Sequence, residues 1–143
     1  MKVFHLAKSE VASYLPLPFF TSQVAAGFPS PADDYIENGL DLNEYLIRHP
    51  SSTYFVRASG DSMTGCGIQD GALLIVDRAA SPRQGSIVIA AIDGELTCKI
   101  LDIRNKQLLA ANPAYSPIPI AEMSELNIEG VVLHAVNSLC MPW

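Results

Sequence analysis

The stretch Ser86-Ile87-Val88-Ile89-Ala90-Ala91-Ile92-Asp93-Gly94-Glu95-Leu96-Thr97-Cys98-Lys99-Ile100-Leu101-Asp102-Ile103 decides the fold. Two runs rich in β-branched residues flank Asp93-Gly94, a dipeptide that tolerates the positive φ angles of a two-residue hairpin. Working outward, Thr53-Tyr54-Phe55-Val56-Arg57 and Leu73–Val76 read as strands before the hairpin. Gln107–Ala111 and Ile128–Val136 read as strands after it, with a Pro-rich turn at Asn112–Pro119 between them. One helix is expected, opened by Asp41-Leu42-Asn43-Glu44 as a capping box, with Leu42, Tyr45 and Leu46 on one face, and ended by His49-Pro50. Many short strands at close spacing predict a mainly β, compact domain over residues 33–143. Residues 1–32 carry Pro16, Pro18, Pro29 and Pro31 with a joint at Gly27, and predict a flexible, extended N-terminal arm.

Lys99 is the anomaly within the hairpin. It lies among apolar neighbours on the strand face of Thr97 and Leu101. On an edge strand it would snorkel into water; in the interior its charge would have to be suppressed or put to use. Ser62, in Ser59-Gly60-Asp61-Ser62-Met63, follows the first strand and precedes a turn with Gly65, Gly67 and Gly71. A turn serine ordinarily bonds to nearby backbone. Paired with a lysine it acquires another use, because serine becomes a nucleophile only when a base takes its proton. A free lysine titrates near 10.4, and burial beside apolar groups can lower that by several units. Backbone N–H groups of the tight turn would then hold the oxyanion. The competing base is histidine, but His5, His49 and His134 fall in the arm, at the helix end and in an apolar strand, with no acidic partner evident from sequence.

Composition narrows the classes. The 143 residues carry nine Lys and Arg against fifteen Asp and Glu, a net charge of −6, with the cations scattered singly. Direct nucleic-acid binding, which needs clustered cations, is not expected. Cys66, Cys98 and Cys140 are odd in number and widely spaced, so neither a zinc site nor a disulfide framework is supported, and a reducing cytosol is the default. No cofactor is called for. Residues 11–32 lack charge, but their prolines interrupt any membrane-spanning helix. A signal-peptide reading ending at Val24-Ala25-Ala26 stands as an alternative, weakened by Glu10 and the early prolines.

Gly60-Asp61-Ser62-Met63, Gly67-Ile68-Gln69-Asp70-Gly71, Asp93-Gly94-Glu95 and Thr97-Cys98-Lys99 together resemble the LexA/UmuD family of self-cleaving Ser–Lys peptidases. Gly27-Phe28-Pro29-Ser30-Pro31-Ala32, Asp41-Leu42-Asn43, His49-Pro50 and Asn112-Pro113-Ala114-Tyr115-Ser116-Pro117 resemble its UmuD-like branch. The resemblance implies Ser62 as nucleophile, Lys99 as general base and Ala26-Gly27 as the cleaved bond. It further implies an SOS-response homodimer that cleaves itself on a RecA–single-stranded DNA filament. The shortened form would then join a UmuC-like Y-family translesion polymerase. A repressor relative needs a DNA-binding module before its cleavage site, and the 26 proline-broken residues before Gly27 offer none. Signal peptidases with a similar dyad carry a membrane anchor, for which no apolar run is long enough. A non-catalytic dimeric module that regulates such a polymerase is the rival reading.

Overall fold

The computed structural model describes residues 1–8, 17–20, 36–122 and 125–140. Ten strands follow in chain order: β1 Lys2–Lys8, β2 Leu17–Phe20, β3 Ile36–Leu40, β4 Thr53–Ser59, β5 Leu73–Asp77, β6 Ile87–Ile92, β7 Glu95–Asp102, β8 Gln107–Leu109, β9 Ile118–Pro119 and β10 Leu126–Val136. The α-helix α1 spans Leu42–Leu46. The chain divides into two units, Glu10–Arg48 and a larger one made of Met1–Ser9 with His49–Trp143.

In the smaller unit β2 pairs antiparallel with β3, and α1 follows directly. Asp41 caps α1 as expected, accepting from the Asn43 N–H at 3.2 Å. The expected inward face does not form: Leu42 and Tyr45 are exposed, and the buried apolar residue is Ile47 at the C-cap.

The larger unit is mainly β, as the hairpin predicts. Its sheet runs β1-β4-β5-β10-β6-β7-β8-β9. Lys2 of β1 also pairs with Thr97 of β7, so β1 bridges the β4 and β7 ends of the run between them. The Asp93-Gly94 turn has both φ angles positive, +48° and +87°, and fixes the β6–β7 register from Ile92↔Glu95 to Ile87↔Ile100. β10 bulges at Ile128/Gly130, and a Cβ on Gly130 would lie 2.6 Å from a Val76 methyl, so the bulge needs glycine.

Period-two alternation puts Tyr54, Val56 and Ala58 of β4 inward and Arg57 and Ser59 outward. Those inward residues pack with Met63, Ile68, Leu74, Val76, Ile89 and Cys98, and β1 adds Met1 and Val3 to the same core. A second cluster of Val88, Ala90, Leu101, Leu108 and Val131 lies on the other face of the β6–β7 hairpin. Among the described residues no helix is long and apolar enough to cross a membrane.

Candidate active site

Ser62 has no exposed surface. The chain leaves β4 at Ser59 and turns at Gly60, whose φ of +106° favours glycine and whose N–H donates to the Asp70 carboxylate at 2.8 Å. Met63, itself fully buried, plugs the loop into the core, and its carbonyl accepts from the Cys66 and Ile68 N–H groups. Gly65 brings the loop against the segment after β8, its N–H donating to the Ala111 carbonyl at 2.7 Å. A Cβ at Gly65 would lie 2.4 Å from that oxygen, so only glycine permits the approach.

Lys99 is buried in β7, which pairs with β6 on one side and β8 on the other. The edge-strand alternative therefore fails, because β7 is interior to the sheet. Among the described residues no carboxylate forms an ion pair with Lys99. Its Nζ lies 5.4 Å from the centre of the Tyr115 ring.

Two bridges link the serine loop to the lysine. The Tyr115 hydroxyl donates to the Asp61 carboxylate next to Ser62, while its ring faces Lys99. Asn112 Nδ2 donates to the Asp61 carbonyl at 2.9 Å, tying the Asn112–Pro117 turn to the same loop. The second bridge is Met1. Its amine donates to Ser62 Oγ at 2.6 Å and has Lys99 as a close neighbour. Burial first, then Lys99, lower that amine from its usual value near 8 to about 6. Nothing in the sequence pointed to Met1. Asp61 and Tyr115 lie inside motifs it did single out, but only the tertiary contact gives them a place at the site.

The bond Ala26-Gly27 lies outside the described residues, as does the Met141-Pro142-Trp143 tail. The histidine expectation needs correcting. His49 does have an acidic partner: its Nδ1 lies 2.6 Å from Asp77 Oδ2. Residues 77 and 49 stand far apart in sequence, and the antiparallel pairing of β4 with β5 brings them together. The serine of that cluster, Ser52, bonds Asp77 and the His49 carbonyl rather than the imidazole, so no Ser–His nucleophile results.

The cysteines are free. Cys98 is buried and its thiol is pushed by burial up to about 12, which makes it inert. Cys66 and Cys140 are exposed rather than tucked into the core.

A buried serine on a glycine-shaped loop and a buried lysine on an interior strand, linked through Met1, form an arrangement that can serve hydrolytic chemistry. The Peptidase S24-like family model matches residues 18–133, and the chain belongs to this family, the LexA/UmuD group. It is 53% identical to the protein SamA of Salmonella typhimurium over 116 residues, 80% of this chain and 81% of that one. It is 40% identical to the protein MucA of Escherichia coli over 138 residues, 95% of this chain and 94% of that one. A LexA repressor of Shewanella sp. is 33% identical over 135 residues, covering 92% of this chain and 65% of the repressor.

Proposed function

We propose that this protein is an SOS-response serine peptidase that cuts itself once, between Ala26 and Gly27. Ser62 Oγ attacks the Ala26 carbonyl carbon as its proton passes to the neutral Lys99 amine. The tetrahedral oxyanion is held by backbone N–H groups of the serine loop. Lys99 returns the proton to the Gly27 nitrogen as the C–N bond breaks, leaving Ala26 esterified to Ser62. Water, deprotonated by Lys99, then attacks the ester carbon, and the proton returns to Ser62 Oγ as its bond to Ala26 breaks and the arm leaves with a free carboxyl group. The observation that carries this reading is that Lys99 is buried with no ion-paired carboxylate among the described residues, and that Met1 links it to the buried Ser62. A buried lysine with an acid partner would be held charged; one without can serve as a base.

The segment around Ala26-Gly27 must enter the cleft to be cut, and its entry excludes water from Lys99. A RecA–single-stranded DNA filament acts by raising the docked population rather than adding chemistry. The product, residues 27–143, is a homodimer that serves a UmuC-like Y-family polymerase in copying damaged template. The arm at 1–32, whose Lys2–Lys8 segment forms β1 of the larger unit, and the peptidase domain at 33–143 are the two functional parts. The relatives named SamA and MucA support this place in SOS mutagenesis.

The test is to incubate the purified chain at alkaline pH, or with RecA, ATP and single-stranded DNA, and to measure intact masses over time. A fragment beginning at Gly27 in wild type but not in Ser62→Ala is expected. Lys99→Ala cutting at the wild-type rate would overturn the dyad. Absence of product under every condition would favour the non-catalytic polymerase-binding module.

A further inference from the structure

The serine loop leaves the end of β4, and the lysine stands on β7. What lies between these two strands is β1. It pairs antiparallel with β4 through six residue pairs, from Lys2↔Ser59 to Lys8↔Tyr54, and meets β7 at Lys2↔Thr97. Met1, the residue just before it, is held from both walls. The Met1 carbonyl accepts from the Cys98 N–H at 3.0 Å and from Thr97 Oγ1 at 2.6 Å, while its nitrogen donates to Ser62 Oγ. Met1 Cα lies 3.9 Å from where a Gly60 Cβ would stand, so the fit at the floor of the groove is close. The side chains of Met1 and Val3 are buried in the core while Lys2 and Phe4 face out.

A peptide cut by Ser62 has the same needs as β1. It must lie extended, so that its backbone pairs with the walls of the groove, and must bring a backbone carbonyl to Ser62 Oγ. The anchors for such a strand are those that Met1 already uses. Two strands cannot take one groove.

We propose that β1 is a resident competitor of the cleavage segment: this chain's own Met1–Phe4 fills the substrate groove, and Ala26-Gly27 is cut only in molecules from which it has withdrawn. The proposal rests on Ser62 and Lys99 being the catalytic pair. Withdrawal takes Met1 and Val3 out of the core and breaks the ladder to β4, so the open form is the minor one. The cleavage rate scales with the fraction of competent molecules. Whatever frees β1 therefore speeds the reaction, with no change at the dyad.

A disulfide tests this directly. Lys2 and Ser59 are directly opposed and both exposed, and facing Cβ atoms of an antiparallel pair lie near the span that a disulfide needs. Lys2→Cys with Ser59→Cys, in full-length protein with Cys66→Ser and Cys140→Ser, should cross-link under mild oxidant. Self-cleavage at alkaline pH should fall at least about ten-fold in the oxidised form and return on reduction. The converse variant, Val3→Asp, places a carboxylate in the apolar core and should expel β1, raising spontaneous cleavage about ten-fold. Failure of the cysteines to cross-link would show that β1 does not lie in the groove. A cross-linked protein that cuts as fast as the reduced one would overturn the competition. If the reduced form does not cut either, the peptidase reading fails and takes the competition with it, while the cross-link still reports the docked strand.

Discussion

Two serines sit beside titratable partners in this molecule, and they are built in opposite ways. Ser52 shares Asp77 with His49, whose side chain is 54% exposed. Ser62 is fully buried and is linked through Met1 to a lysine that is 7% exposed. In the Ser52 cluster the carboxylate sits in the middle and takes every donor. Burial raises Asp77, but the hydrogen bonds from His49, the Ala79 N–H and Ser52 outweigh it and hold its carboxyl below the usual range. Such a cluster pins the Pro50–Ser52 turn to the end of β5 and leaves no group ready to take a proton from serine. In the Ser62 loop the Asp61 carboxylate is turned to Tyr115 and the Asp70 carboxylate to the Gly60 N–H. Among the described residues the lysine has no ion-pair partner, and a base at the serine becomes possible. On the proposed reading, what sets Ser62 apart from Ser52 is that no acid among the described residues forms an ion pair with Lys99.

The comparison breaks most visibly through the serines themselves. Ser62→Ala should lower the self-cleavage rate by at least about a thousand-fold, while Ser52→Ala leaves it unchanged, both followed by intact mass. The opposite pattern would exchange their roles. Next in size is Gly65→Ala. Its new Cβ meets the Ala111 carbonyl, which is backbone and cannot swing away, so a cost of about 1–3 kcal/mol in urea denaturation is expected. Because the same loop carries Ser62, cleavage should slow with it; a variant as stable as wild type would show that the loop can shift.

A smaller effect belongs to the other cluster. His49→Ala should cost up to about 1 kcal/mol at neutral pH, the range of partly exposed pairs, with no change in cleavage. The Asp77 carboxyl is lowered in the folded state, so its contribution is present above the ordinary carboxylate value near 3.9 and is lost as pH falls below it. The stability gap between His49→Ala and wild type should accordingly narrow in acid, and a gap that widens would contradict the pairing. The smallest effect concerns Met1, whose amine has Lys99, Cys98 and Asp61 around it. Docked, it titrates near 6; free, near 8. The withdrawn strand therefore binds more protons between these values, so docking is complete above pH 8 and weakens as pH falls towards 6. After correction for intrinsic rates, exchange of the Cys98 N–H should be faster at pH 6 than at pH 8.5.

Local chemistry made much of this legible. Asp93-Gly94 announces its hairpin because two positive φ angles admit few residue types, and the register of β6 and β7 follows from the turn. Alternation in Thr53–Ser59 separates core from surface because a strand has only two faces. The same logic misled at α1. A five-residue helix can show an apolar face in sequence without burying it, and Leu42 and Tyr45 remain exposed.

By itself, then, the sequence determined the strands, the hairpin, the glycine-rich serine loop and the presence of one lysine where a lysine is costly. These are properties of short stretches, fixed by steric limits on φ and by the period of a strand. Tertiary structure decided the rest. Whether Lys99 lay at an edge or inside depended on β8 pairing beyond it. Whether His49 had an acid depended on β5 folding back onto β4. That residues 1–4 stand between serine and lysine depended on β1 bridging β4 and β7, a contact between segments roughly a hundred residues apart. Such contacts are settled by which surfaces bury best against one another, and no single stretch of chain contains both surfaces.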